Sequence, residues 1–506
     1  MGTVASSLTR INDVEGSLTA VSIGGGPGAG ENTDIFIQAS QSIGRRMSNT
    51  TLGGYFIDNG AGGVDLSASD IHVGVWVWMT HYSVLTDLRI RLGDTASSGD
   101  YDEHTFDLSE FPSLGGWVRV WVNLARTPEA TGGTGLVLSS VRYYGVTASL
   151  PSVGGNADNL ILDAIDHTTT GLTVTGSSSV FQDFLTADED NSTNKYGVVV
   201  SISGIIYCKA RLTIGSGTAT TFTDSAFTVI FPQQNLVAST FMGLTIDLSN
   251  ASTAVTLSSG TLGSPGLVKG DLIVSGTSGT LVLDGMSCAG LRAVTFTSAC
   301  TITATAFSAC NTTTQAGADI STSTFTDTLL FADDPALVAT STFTSTGAGG
   351  GHGMEVSVTG EYTLTDLTWT DFGASGSTDA AIYNNSAGEL TLNLVGGTTP
   401  TYRNGASATT ILVASPATLT LTNIVSGSEV RLSVAGGTGA PDALYGVETT
   451  DGVVDPAYVY TETGFIDIVI HNIDYQYFRL TGFPLSSSDA SLPISQVFDR
   501  NYTNPI

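Results

Sequence analysis

Positive charge is scarce in this chain: 17 Lys and Arg stand against 46 Asp and Glu in 506 residues, a formal net charge of −29. Phosphate backbones and anionic lipid are bound through clustered Lys and Arg that release counterions or dock on headgroups. The balance therefore excludes nucleic acid as a partner. Charge of either sign is thin, at 12 % of residues against roughly 25 % in ordinary globular chains, so the hydrophilic surface has to come from Thr, Ser and Asn. No apolar run approaches the roughly 18 residues that a helix needs to span a bilayer, and membrane insertion is not expected. Met1–Arg10 carries neither the basic nor the apolar region of a secretory signal, so export through a standard signal is not expected either.

Motifs of common chemistry are missing as well. No nucleophile elbow, phosphate-binding loop, His-Glu-x-x-His helix or dinucleotide fingerprint occurs, and no cofactor or metal is expected. The four cysteines, Cys208, Cys288, Cys300 and Cys310, lack the Cys-x-x-Cys spacing of zinc and redox sites. They read as small buried hydrophobes, the last three at stacked interior positions of one repetitive stretch.

What the chain does contain suits strands. Thr and Val fit a pleated, half-buried surface, and 60 glycines supply the positive-φ positions of tight turns. Hydrophobic residues still reach 41 %, enough for real cores, and the length suggests about three domains.

Residues 30–149 form the first of these after an N-terminal arm, 1–29, and three strands with period-2 alternation carry the case. Val73, Val75, Val77 and Met79 share one face; Leu88, Ile90 and Leu92 share another; Val118, Val120, Val122 and Leu124 a third. Each aliphatic set is expected to pack inward between two sheets. The opposite faces hold Trp76, Trp78, Trp117 and Trp121, four of the five tryptophans, together with Arg89, Arg91 and Arg119. Two readings stay open: a sugar-stacking platform, or a domain or subunit interface.

From 150 to 425 short apolar triplets alternate with Gly, Ser, Thr and Asn, without helical periodicity. Phe307, Phe325 and Phe343 recur every 18 residues (307 to 325, 325 to 343), and Tyr362 follows at nearly the same step. A repeat of that length holds three short strands and their turns, one coil of a parallel β-helix; two consecutive sandwiches are the alternative. Beyond 426, Val430, Leu432 and Val434 and then Phe465, Ile466, Ile468 and Ile470 predict a small β-sandwich, 426–506, covering the end of the solenoid. The fold class is thus all-β: an N-terminal jelly-roll sandwich, a central parallel β-helix and a small C-terminal β-sandwich.

Catalysis by paired carboxylates would draw on Asp327, Asp333, Asp334, Asp366 and Asp371. Between Arg292 and Arg403 no Lys or Arg exists to act as a lyase base or to neutralise a uronate. Asp188-Glu189-Asp190-Asn191-Ser192 offers oxygens at alternating positions, as calcium loops do, without the glycine and final Glu of an EF-hand. The histidines are dispersed, although His72 and His81 flank the tryptophan strand.

The run IHVGVWVWMTHYSVLTDLRIRLGD, followed by FDLSEFPSLGGWVRVWVNL, resembles the jelly-roll or concanavalin-like modules common in carbohydrate-binding and phage tail proteins. FIQASQSIGRRMSNTT, with Arg45 and Arg46, is similar to segments of phage structural proteins. These resemblances imply a bacteriophage virion structural protein of the capsid-decoration, head-fibre or tail-fibre type, non-enzymatic and on the virion surface. The implied partners are copies of the chain itself, with a homotrimer favoured, other virion proteins such as the capsid or tail, and host surface glycans. The alternative is a β-helical tailspike that depolymerises polysaccharide.

Overall fold

A computed structural model describes residues 2–499 apart from 7, 13–19, 24–29, 33–41, 48–52, 59–62, 69–70, 80–84, 95–99, 107–115, 125–126, 150–157, 170, 190–196, 232–242, 264–269, 348–350, 414–416, 435–442, 448–457, 461–463 and 486–488. The chain divides into two compact units, Met1–Asp333 with Thr344–Glu355, and Asp334–Phe343 with Val356–Ile506. Strand dominates both.

The first unit opens with two antiparallel sheets. One runs Gly116–Asn123, His72–Met79, Asp158–Thr168, Ser42–Met47 and Gly30–Asn32, with Thr9–Asn12 also paired to Asp158–Thr168. The other runs Ala130–Gly132, Tyr101–Thr105, Asp87–Gly93, Tyr143–Ser149, Gly53–Asp58 and Ala20–Ile23. Alternation directs every second side chain into the space between them. One buried cluster there takes in Val73, Val75, Val77, Met79, Leu88, Ile90, Leu92, Val118, Val120, Val122 and Leu124, the three sets that the sequence pattern marks as inward.

The same unit continues as three parallel ladders. The first is built from Leu172–Ser179, Arg211–Ile214, Gly243–Asp247, Asp271–Ser275, Ala293–Thr295, Thr312–Thr314 and Leu330–Ala332. The second takes Thr220–Ser225, Ala254–Ser258, Thr280–Asp284, Cys300–Thr303 and Asp319–Ser321. The third takes Ile205–Cys208, Thr228–Ile230, Thr261–Gly263, Ser287–Ala289, Ala306–Ser308 and Thr324–Thr326. The chain visits the three in turn, the path of a parallel β-helix, and in-register stacking lines up like with like. Leu257, Leu283, Ile302 and Ile320 form one buried column. Leu262, Cys288, Phe307 and Phe325 form another, in which the two phenylalanine rings stack at 5.0 Å.

Corners between ladders fall at left-handed backbone. After the second ladder come Ala226, Ser259, Gly285, Ala304 and Thr322 at φ 55, 50, 62, 48 and 51°; after the third come Gly290, Ala309 and Asp327 at 60, 50 and 47°. Only glycine occupies such a corner without steric cost, so the Ala, Ser and Thr positions are held by the ladders on either side.

Three sequence expectations need correction. The repeat region does contain a helix, Phe181–Glu189, whose Phe181, Phe184 and Leu185 are buried against the first coils, with Phe181 4.5 Å from the Phe227 ring. Tyr362 does not continue the aromatic series: in the second unit the ring stacked on Phe343, at 4.5 Å, is Trp369. The cysteines are interior free thiols, but Cys288 and Cys300 stand in different ladders.

In the second unit, Gly360–Thr365, Glu389–Val395 and Thr409–Val413 pair in parallel, as do Ile382–Asn384 and Tyr402–Asn404. Two further sheets follow. Glu429–Val434 lies between Ala443–Val447 and Gly464–His471, which in turn pairs Phe478–Leu485; Ala417–Thr422 lies between Tyr458–Tyr460 and Ala490–Pro493. Val430, Leu432, Ile466, Ile468 and Ile470 share their core. Phe465 has the opposite parity to that isoleucine set and is 60 % exposed.

Candidate functional site

The seven candidate residues separate into two groups, because the two sheets of the first module turn their outer faces in opposite directions. Trp76, Trp78, Trp117, Arg119 and Trp121 lie on one sheet, where Trp117 pairs with Trp78, Arg119 with Trp76 and Trp121 with Gly74. Arg89 and Arg91 lie on the other. Alternation reveals which side of a strand a residue occupies, but not which sheet the strand joins.

The tryptophan face is built around Arg119. Strand Asp158–Thr168 carries a bulge between Asp163 and Ile165, and a bulge re-aims the groups around it. The Ala164 carbonyl accepts from Arg119 Nη1 at 2.6 Å, and Asp166 Oδ2 accepts from Nη2 at 2.5 Å. Asp166 Oδ1 takes Arg10 Nε at 2.5 Å, tying the N-terminal strand to the same carboxylate. Above the guanidinium lie the rings of Trp121 and Trp76, with centroids 4.8 and 5.7 Å away. Burial pulls the Arg119 pKa below the ordinary arginine value, while the Asp166 charge acts in the opposite sense.

This face is covered by the start of the solenoid. Trp121 Nε1 donates to the Gly197 carbonyl at 3.3 Å, and Lys209 Nζ donates to the Arg119 carbonyl at 3.2 Å. Gly74 leaves room for Trp121 to lie flat on its own sheet, and Gly197 lets the covering segment come close. A Cβ on Gly74 would stand 2.6 Å from the Trp121 ring, and one on Gly197, at φ +64°, would stand 2.4 Å from Arg119 Cβ and 2.8 Å from Trp76. Asp188, at the end of the helix, accepts from the backbone N–H groups of Gly197, Val198 and Val199 at 2.7, 2.8 and 2.9 Å. Its two oxygens fix the covering segment, so the first member of the calcium-like run serves as a backbone clamp. Asp190, Asn191, Ser192 and His81 lie outside the described residues, as do the side chains of Arg45 and Arg46. Trp76, Trp121 and Arg119 are buried; Trp78 and Trp117 stay half-exposed.

On the opposite sheet Glu103, only 1 % exposed at its side chain, sits between two arginines: Arg89 Nη1 is 2.9 Å from Oε2, and Arg91 pairs with Oε1. The Arg91 guanidinium lies 3.9 Å above the Tyr101 ring. Such a carboxylate is matched by its own neighbours.

The carboxylates considered for catalysis do turn work. Asp327, at a left-handed corner, accepts from the Thr346 N–H at 2.8 Å; Asp333 accepts from the Gly317 N–H at 2.9 Å; Asp334 caps a short 3-10 turn by accepting from Ala336 at 3.2 Å. Asp366 and Asp371 occupy left-handed corners at φ 51 and 61°. Among the described residues no group of three or more His, Cys, Asp or Glu is placed to hold a metal ion.

No family model matches the chain, and no curated protein matches it. Among solved structures it is similar to a family 11 carbohydrate-binding module from Clostridium thermocellum in complex with a beta-1,3-1,4-mixed-linked tetrasaccharide, at 14 % identity and a TM-score of 0.24, covering 32 % of this chain and 96 % of that one. It is also similar to an exo-beta-agarase, at 13 % identity and a TM-score of 0.23 over 33 % of this chain and 25 % of that one. The Agl-KA catalytic domain is similar over 81 % of this chain and 98 % of that one, at 11 % identity and a TM-score of 0.20. Likenesses of this size carry no inference about what the chain does.

Proposed function

We propose that the chain is a non-enzymatic structural protein of a bacteriophage particle, a capsid decoration or surface fibre, in which a jelly-roll-type module is locked onto the end of a β-helix. The observation that carries this reading is the joint at Arg119. Trp76, Trp121 and Arg119, the last fixed by its buried ion pair, close on Gly197, and Lys209 donates to the Arg119 carbonyl, an arrangement suited to a stiff projecting body. The sequence resemblances to phage structural segments supply the virion part of the reading, and location on the particle surface goes with it. Trp78 and Trp117, half-exposed on the same face, are offered to host surface glycans, because a flat aromatic ring matches the apolar face of a sugar.

Self-association, as a homotrimer, belongs to the same reading. The six strands of the third ladder contain no charged residue, and in an acidic chain an uncharged face is where copies approach without mutual repulsion.

The test is a glycan array probed with the wild-type protein and Trp117→Ala, run beside a reducing-end assay on the polysaccharides that bind. Binding lost in the variant, with no new reducing ends, supports the reading. Steady release of reducing ends would instead establish the depolymerase alternative.

A further inference from the structure

We infer that Arg403 and Tyr383, on the outer surface of the second unit, form a subsite for a single carboxylate-bearing sugar within an otherwise neutral glycan; this rests on the reading of the chain as a glycan binder. The two residues are register partners on adjacent parallel strands. Ile382 and Asn384, which flank Tyr383, are buried, so Tyr383 points outward and its register partner Arg403 lies on the same side. Asn384 Nδ2 donates to the Thr409 carbonyl at 3.1 Å and to Thr410 Oγ1 at 3.0 Å, which fixes the strand beneath them.

The guanidinium carbon of Arg403 lies 5.4 Å from the centre of the Tyr383 ring. A side chain at Gly405 would come within 3.2 Å of the Tyr383 hydroxyl. The ring therefore reclines along the sheet over a glycine, a flat half-exposed surface with a cation beside it.

Unlike Arg431, Arg479, Arg119, Arg142 and Arg292, Arg403 has no acid partner among the described residues. Arg431 and Arg479 reach Glu429 and Asp467 in the same unit, and Arg119, Arg142 and Arg292 each hold an aspartate in the first. Arg403 makes no ion pair and donates no hydrogen bond among the described residues, in a chain with 46 acidic side chains. A guanidinium fork matches a carboxylate bidentately, and its position against Tyr383 limits the freedom lost on binding.

The surroundings restrict the ligand. In the second unit Asp334, Glu361, Asp366, Asp371, Asp379 and Glu389 precede Arg403 and no Lys or other Arg does, so a densely charged polyanion meets repulsion wherever its charges fall within about 8 Å of theirs. One acidic sugar flanked by neutral ones places its charge on Arg403 and nothing but hydroxyls elsewhere.

Deacylated gellan oligosaccharides, which carry one glucuronate in each repeat, and the same oligosaccharides after carboxyl reduction are the probes. Calorimetric titration of the full chain is expected to show the native form binding about tenfold tighter than the reduced form. Arg403→Gln, checked for an unchanged unfolding temperature, should erase that ratio; Tyr383→Leu should weaken both forms. Equal binding of the two forms by the wild type, or a preference that survives Arg403→Gln, overturns the subsite while leaving glycan binding intact. If the wild type binds neither form and no neutral glycan on an array, the broader reading falls with it.

Discussion

Arg119 shows how one side chain organises a joint. Its charge is removed from water, and removing one partner of a buried pair leaves the other uncompensated, at a cost of about 3–5 kcal/mol. Arg119→Ala is therefore expected to lower the stability of the first unit by that amount in urea titration, and Asp166→Ala by a similar amount. Arg119→Met, which keeps the packing against both tryptophans, should cost less. Gly197→Ala should also loosen the joint, since both its φ and its surroundings exclude a Cβ. On the same sheet, burial depresses the pKa of His167 below its ordinary value of 6.5. The unfolded chain then takes up the proton more readily, so stability rises with pH through the window below 6.5 and levels off above it. His167→Gln should remove that part of the slope, as urea midpoints across the window will show.

At the scale of the elements, much of the fold was legible. Val73, Val75, Val77 and their counterparts on two other strands read as inward by alternation alone, because a period of two leaves a strand little choice once one face is buried. The 18-residue phenylalanine step marks the third ladder for the same reason: stacked coils of equal length bring like positions into register. Counting failed where coil length changed, and Trp369 instead of Tyr362 took the next aromatic place. The helix is not legible although Phe181, Phe184 and Leu185 show its i, i+3, i+4 spacing, since a nine-residue segment is submerged in a long strand-like context. Alternation alone groups Arg89 and Arg91 with the tryptophans, because sheet membership depends on long-range pairing, which no local pattern encodes. Two outcomes follow from the solenoid's construction. Phe325→Ala removes a fully buried ring and is expected to cost about 3–5 kcal/mol by chemical denaturation. Ala309→Val, at an exposed left-handed corner, should destabilise by about 1–2 kcal/mol, whereas Ala309→Asn, which tolerates that backbone, should be neutral or better. The interior thiols offer a probe of the same packing. Burial pushes Cys208 up to about 12 and Cys310 up to about 11, so iodoacetamide at pH 8 should leave the native protein unlabelled and modify all four cysteines once it is unfolded.

The whole molecule is proposed as a body that stands on a particle and meets its own kind, a reading that draws on the acidity, the uncharged third ladder and the buried Trp76 and Trp121. Light scattering of the purified chain is expected to give three times the monomer mass, insensitive to salt because the contact is uncharged; a monomer at micromolar concentration counts against the trimer. The decisive measurement is the location of the chain, by immunogold electron microscopy of virus particles banded on a density gradient from cultures that express it. Gold at regular surface positions on the particles is the expected result. Gold confined to the soluble fraction, with bare particles, would contradict the assignment to a virion.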